Sequence, residues 1–204
     1  MPELSKLAPT VSFTSAPNAF LKSFRETNLA LGQAFGKEEQ ARAALASIDK
    51  NLEALHQASQ GKKGALLFSI RGNVIPHAPG DRFGYAYELT GLESVLPARD
   101  PNTAAAPRPE PGSPEAKALA EQRAQAVSAV AAAEPDWLLV LDRGAINGGE
   151  RTAADTLAAH PELSQTQAFK EGRVVYVDPN GWYIVGEGLN NMRTISASLL
   201  EAMQ

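Results

Sequence analysis

The sequence predicts an α/β domain built on a parallel sheet, and three observations carry that reading. Three continuous apolar runs stand far apart: Ala65-Leu66-Leu67-Phe68-Ser69-Ile70, Leu138-Leu139-Val140-Leu141 and Val174-Val175-Tyr176-Val177. None alternates, which is the pattern of strands buried on both faces. Helical segments fill the intervals, and strand–helix alternation is the order of α/β folds. A chain of 204 residues makes one domain, or one and a half.

The elements follow in order. Residues 8–14 read as a short strand, with β-branched and aromatic residues behind Pro9. Asn18 to Phe35 reads as a helix with Phe20, Phe24, Leu31 and Phe35 on one stripe, closed by Gly36. A second helix runs from about Lys37 to Gln60, where Ala41, Leu45, Ile48, Leu52 and Leu55 keep a 3.6-residue period, and Gly61 ends it. After the first apolar run, Gly84 to Thr90 is a short helix stopped by Gly91. Glu115 to Ala133 is a long alanine-rich helix stopped before Pro135. Thr152 to Glu171 contains Pro161 and is therefore two shorter helices or one broken one. The last helix, about Gly188 to Met203, carries Leu189, Met192, Ile195, Leu199 and Met203 on one face. Between Pro97 and Pro114 lie six prolines, so that stretch is an extended or mobile surface loop inserted within the domain.

Composition excludes several classes of function. With 19 basic and 23 acidic side chains the net charge is −4, and there is no Lys/Arg run. Nucleic acid is therefore not an expected partner, since binding it without regard to sequence needs a basic stripe. Cysteine is absent, which removes disulfides, thiolate metal sites and cysteine nucleophiles together. None of His56, His77 and His160 pairs with another histidine or an acid at metal-binding spacing, so no metal site is read from sequence. His56 reads as a surface residue near a helix end, and His77 as a loop histidine between two prolines.

The candidate binding residues all follow apolar runs, at the strand ends where parallel sheets bind ligands. Arg143 lies in the glycine-rich loop Asp142-Arg143-Gly144-Ala145-Ile146-Asn147-Gly148-Gly149. That loop lacks the ending of a phosphate-binding P-loop, and from position alone an anion contact and a structural salt bridge both suit the arginine. Arg82 lies in Pro79-Gly80-Asp81-Arg82-Phe83-Gly84, where Asp81 is the expected cap of the following helix. Arg82 would then oppose the dipole near that helix start, a local conflict that functional residues tolerate. Trp182 and Tyr183 follow the third run in a chain poor in aromatics: an indole offers a flat face, and a phenol can hydrogen-bond or ligate ferric iron. Trp182 also suits a plain covering role over the sheet end.

At these residues the chain resembles the ferric-siderophore-binding proteins of bacterial ABC importers, in the branch that takes catecholates of the enterobactin and petrobactin type. The resemblance rests on the Arg82 turn, on Glu134-Pro135-Asp136-Trp137 running through Arg143-Gly144, on Val175-Tyr176-Val177-Asp178 with Trp182-Tyr183, and on Leu4 to Thr10 with Asn18 to Phe24. It implies the three-layer parallel-sheet lobe of a class III periplasmic binding protein, joined to a second lobe by one long helix. Residues 1–17 would be the last strand of an N-terminal lobe, 18–36 the linking helix, and 37–204 the C-terminal siderophore-binding lobe with the loop at 97–114. Most of the N-terminal lobe, and the signal or lipoprotein leader of a periplasmic protein, would be missing from this chain.

Carried over residue by residue, Arg82 and Arg143 match cleft arginines that neutralise a trianionic ferric catecholate, and Tyr183 matches a tyrosine that in some members completes the iron coordination. Where some members place an iron-binding histidine, this chain has the proline-rich loop. The implied function is solute capture for iron uptake, with no enzyme activity and no cofactor; the ligand is a ferric siderophore and the partner an importer permease. Two alternatives stand beside it. A truncated lobe would expose apolar surface and self-associate. An α/β enzyme could use the two arginines as an anion clamp, although Asp142, Glu150 and Glu187 nearby lack a histidine partner.

Overall fold

The structure, a computed structural model, describes residues 2–13, 19–100, 107 and 109–204. After a helical turn, α1 (Pro2–Ser5), come the helices α2 (Phe20–Ala34) and α3 (Glu38–Ala58). Strand β1 (Lys63–Ile70) turns back into β2 (Asn73–His77), followed by α4 (Tyr85–Thr90) and the two-residue β3 (Glu93–Ser94). The remainder is α5 (Pro114–Ala132), β4 (Trp137–Asp142), α6 (Ala153–Ala158), α7 (Gln167–Lys170), β5 (Val174–Tyr176) and α8 (Leu189–Ala202).

The sheet order is β2-β1-β4-β5, with β3 beside the start of β1. β1 pairs parallel with β4, Leu66 opposite Leu139 and Ser69 opposite Asp142, and β4 pairs parallel with β5. The first two apolar runs are thus the interior strands β1 and β4, and their two faces enter separate cores, whereas the third, β5, ends the strand order and leaves Tyr176 45% exposed, contrary to the expected burial on both faces. Leu66, Leu139 and Leu141 join Phe24, Ile48, Leu55, Met192 and Leu199 from α2, α3 and α8. Ala65, Leu67, Leu138 and Val140 join Val127, Val130, Leu157 and Leu163 on the other side. Each fully buried leucine contributes about 1.5–3 kcal/mol, and demanding this on both faces explains why the strands do not alternate. The result is the expected three-layer α/β arrangement.

Helix ends follow their local chemistry. Gly91, at φ 74°, closes α4 in the left-handed region that glycine enters without strain. Ser113 caps α5 by accepting the Ala116 N–H at 3.1 Å, with Pro114 at the first helical position. Pro161 breaks the 152–171 stretch into α6 and α7, as its missing N–H requires.

Several expectations are corrected. Residues 8–13 form no strand and are largely exposed, Val11 by 75%. Among the described residues no ladder partner lies beside them, and without one their β-propensity has nothing to act on. Thr14 and Asn18, at the ends of the expected strand and linking helix, lie outside the described residues, as do 101–106 and 108 of the proline-rich stretch. On α2 only Phe20 and Phe24 of the expected stripe are buried, while Leu31 and Phe35 are exposed. β2 was not expected, because Pro76 interrupts it; a proline is tolerated on an edge strand. Its hairpin turns on Arg71 and Gly72, both left-handed at φ 50° and 75°, as a two-residue loop of matching twist requires. His77 therefore belongs to a strand, not a loop.

Candidate functional site

The carboxyl ends of β1, β4 and β5 lie at one edge, and three side chains converge there from three loops. Arg82 follows the β1–β2 hairpin. The Asp81 carboxylate does not cap α4, contrary to expectation: it reaches back to accept the Ala78 N–H at 2.9 Å and pairs with Arg99 at 3.2 Å. α4 has Gly84 at its N-cap position with no side-chain cap, so Arg82 lies in a turn ahead of the helix and the expected dipole conflict is absent. A Cβ on Gly84 would meet the Ala78 carbonyl at 2.4 Å, so only glycine lets this turn close.

Arg143 is the first residue after β4, and its N–H donates to the Ser69 carbonyl at 2.9 Å, continuing the ladder. Asp142 before it is buried. Its carboxylate accepts N–H bonds from Gly144 at 2.9 Å, Thr152 at 2.7 Å and Ala153 at 2.9 Å. One carboxylate thus ties both ends of the glycine-rich loop and caps α6. The loop doubles back so tightly that a Cβ on Gly149 would lie 2.1 Å from the Gly144 carbonyl.

Tyr183 sits in a wide helical turn, Gly181–Val185, in which the Gly186 N–H reaches the Gly181 carbonyl. Asp178 accepts the Gly181 N–H at 2.8 Å, and Asn191 of α8 donates to the Gly181 and Gly186 carbonyls at 2.9 and 2.6 Å. Turns of this i→i+5 type are rare and recur at functional sites.

Held this way, the Tyr183 ring lies against both cations: the Arg82 guanidinium carbon is 4.4 Å and that of Arg143 4.8 Å from its centroid. Arg82 also lies 4.9 Å from the Phe83 ring. The Arg143 guanidinium, then that of Arg82, within hydrogen-bonding reach of the phenol oxygen, hold the Tyr183 pKa below its ordinary 10.0, since cations favour the phenolate. Two positive charges and a phenol whose pKa they lower therefore share one edge.

Trp182 is placed differently from its three expected companions. It is only 3% exposed and stacks on Tyr85 at 5.1 Å, so it is mainly core, as a covering role requires. Tyr85 stacks in turn on Phe20 at 4.4 Å. These rings line a depression of about 220 Å³ whose rim carries Arg82, Tyr183 and Glu187. As site residues, Phe20 and Tyr85 are additions: the sequence marks Phe20 only as part of a helix stripe and does not single out Tyr85. Tyr85 directly follows the Arg-Phe-Gly turn and could have been found, whereas nothing local marks Phe20, the first residue of α2, as a site residue.

Beneath Arg82 lies His77, edge-on to Phe68 and Phe83 at 5.9 and 5.4 Å. Its Nδ1 is buried without a hydrogen-bond partner among the described residues, 3.9 Å from Asp81 Oδ2. Burial lowers its pKa from 6.5; Asp81 opposes this, while Arg82 and Arg123 add to it. His56 is exposed and bonds the Glu88 carbonyl at 2.9 Å, away from the edge. Among the described residues no group of three or more His, Cys, Asp or Glu side chains is placed to hold a metal ion. Among them too, no helix is long and apolar enough to cross a membrane.

Comparison with known proteins gives the same frame. The model of the family described as periplasmic binding protein matches residues 2–180. The petrobactin-binding protein YclQ of Bacillus subtilis is 25% identical over 99% of this chain and 59% of its own length. The ferric-anguibactin-binding protein FatB of Vibrio anguillarum is 24% identical over the same shares of the two chains. The chain thus spans about three fifths of the length of the curated relatives it matches. Among solved structures, the periplasmic catecholate-siderophore binding protein VctP of Vibrio cholerae superposes with a TM-score of 0.75 at 23% identity, over 97% of this chain and 66% of that one. That likeness is one of fold, and it coincides with the parallel sheet and paired cores described above. With the family model matching most of its length, this chain belongs to the periplasmic binding protein family.

Proposed function

We propose that this chain holds an anionic ferric siderophore, as part of the solute-binding component of an ABC importer for iron uptake. The single observation that carries the reading is the convergence of Arg82 and Arg143 on Tyr183 at the carboxyl edge of the sheet. A ferric tris-catecholate bears three negative charges, and arginine offers planar donors that do not lose their proton. The aromatic depression beneath supplies a flat apolar surface for catechol rings, floored by Trp182 and walled by Phe20 and Tyr85. Tyr183 is the candidate ferric ligand, because the cations that lower its pKa make its phenolate more available. In this role the chain binds and releases without covalent chemistry. Its place is the periplasm and its protein partner an importer permease.

A fluorescence titration tests this. In a Trp137→Phe background Trp182 is the remaining indole, and it sits at the floor of the depression. Ferric enterobactin-type and ferric petrobactin-type chelates should quench it saturably, and Arg143→Ala should weaken that binding by on the order of tenfold or more. If neither this chain nor a full-length protein containing it shows saturable quenching, the reading fails.

The apolar side chains Leu7, Val11, Phe13 and Phe35, all exposed, support a second property of the isolated chain, association with its own copies. A monomer mass that stays constant across a concentration series in light scattering excludes it.

A further inference from the structure

The ligand edge contains two Asn-Gly pairs, Asn147-Gly148 in the loop that presents Arg143 and Asn180-Gly181 at the turn that presents Tyr183. They touch: the Asn147 N–H donates to the Asn180 side-chain carbonyl at 2.9 Å. Asn-Gly is the dipeptide whose side-chain amide is most open to attack by the following backbone nitrogen, because glycine puts no side chain in the way. The two pairs nonetheless differ in what holds them.

We propose that Asn147 is a site of spontaneous deamidation and that Asn180 is guarded against the same reaction. Asn147 is exposed, as are Gly148 and Gly149 after it, and its carboxamide has no hydrogen-bond partner among the described residues. It sits in the left-handed region at φ 56°, ψ 34°, and a Cβ on Gly148 would meet nothing within 4 Å. Gly148 leaves room for the chain to rotate until its nitrogen faces the side-chain carbon, the short helical turn Ile146–Gly148 being held beyond it by the Gly149 N–H on the Ile146 carbonyl at 3.2 Å. Asn180 has none of this freedom. It holds helical angles, φ −74° and ψ −45°, at the head of the wide turn. Its carbonyl oxygen is engaged by Asn147, and the nitrogen that would attack, that of buried Gly181, donates to Asp178 Oδ2 at 2.8 Å.

The reaction needs only water and base. The Gly148 nitrogen loses its proton to base and bonds to Asn147 Cγ, the Cγ–Nδ2 bond breaks, and ammonia departs with a proton from solvent. Water then adds across one of the two imide C–N bonds, leaving aspartate or isoaspartate, with no change of oxidation state. The product places a carboxylate on the loop of Arg143, opposite in sign to the charge which that loop presents.

The test is to incubate the folded chain in mildly alkaline buffer, digest it and map the peptides by mass, with a urea-unfolded sample alongside. In the folded chain the Asn147 peptide should gain one mass unit and yield an isoaspartate form, exceeding the Asn180 peptide by on the order of tenfold. In the unfolded chain the two peptides should react comparably, and Asn147→Gln should abolish the first signal only. Equal conversion at both sites in the folded chain, conversion at Asn180 alone, or none at Asn147 overturns the proposal.

Discussion

The guanidinium of Arg82 lies 4.4 Å from the centre of the Tyr183 ring, although the two residues follow different strands and are 101 positions apart in the chain. With Arg143 on the same ring at 4.8 Å, the phenol lies between two cations at the solvent edge. This relationship makes the site electrostatically distinct and its ionisation measurable.

Tyr183 should therefore be the first tyrosine to ionise. Burial raises the pKa of Tyr85, Tyr87 and Tyr176, while the arginines lower that of Tyr183. An ultraviolet phenolate titration should show one early component that Tyr183→Phe removes and that Arg143→Ala moves back toward 10.0. A phenol that ionises more readily folded than unfolded adds stability above its unfolded pKa and loses it as the pH falls through the lowered folded value. A single component at the ordinary value would contradict the geometry.

His77 should make the chain acid-sensitive. Burial keeps its folded pKa below 6.5, so the unfolded chain takes up its proton first. The stability associated with neutral His77 is complete above 6.5 and is lost as the pH falls through the folded value. His77→Phe, which keeps an aromatic ring edge-on to Phe68 and Phe83, should reduce the drop in melting temperature between pH 7.5 and pH 5.5, values chosen to lie about one unit either side of an ordinary histidine pKa. An unchanged drop would assign the acid sensitivity elsewhere.

Glu88 of α4 should hold the start of α2. Its carboxylate accepts the N–H groups of Phe20 and Leu21 at 3.0 and 3.1 Å, a cap supplied from a distant helix where Ala19 offers none. Glu88→Ala should cost about 1–2 kcal/mol, lowering the melting temperature by about 2–8 °C. Glu88→Gln, which keeps one acceptor oxygen, should lose less. Equal losses in the two variants would mean that the cap is not what stabilises.

Asp142 should be the least replaceable carboxylate near the site. Removing it orphans the N–H groups of Gly144, Thr152 and Ala153. Asp142→Ala should cost about 2–4 kcal/mol in urea unfolding, and Asp142→Asn, whose carbonyl still accepts, clearly less. A loss within about 0.5 kcal/mol, the usual range for surface changes, would show that the loop holds itself.

What the sequence by itself determined was the central sheet and its helices. β1 and β4 are legible because burial on two faces demands unbroken apolar runs, β5 only as an apolar run that the structure places at the end of the strand order with Tyr176 exposed, and α3 and α8 because burial on one face demands a 3.6-residue period. Arg143 and Tyr183 were legible as candidates for a topological reason, since each follows a run whose carboxyl end a parallel sheet turns toward ligand, whereas Arg82 reaches the same edge from the turn after β2, which runs antiparallel to β1. Tertiary structure decided the rest. Whether residues 8–13 pair as a strand depends on a neighbour that no local pattern can supply, and β2 depends on an edge position that tolerates Pro76. The register that sets Ser69 opposite Asp142 brings the strand ends level, and only then do two arginines meet one phenol. The Phe20–Tyr85–Trp182 stack has the same origin: its rings come from α2, α4 and the turn after β5. Periodicity reports which face of an element is buried, but which side chains from distant elements touch is settled by packing alone.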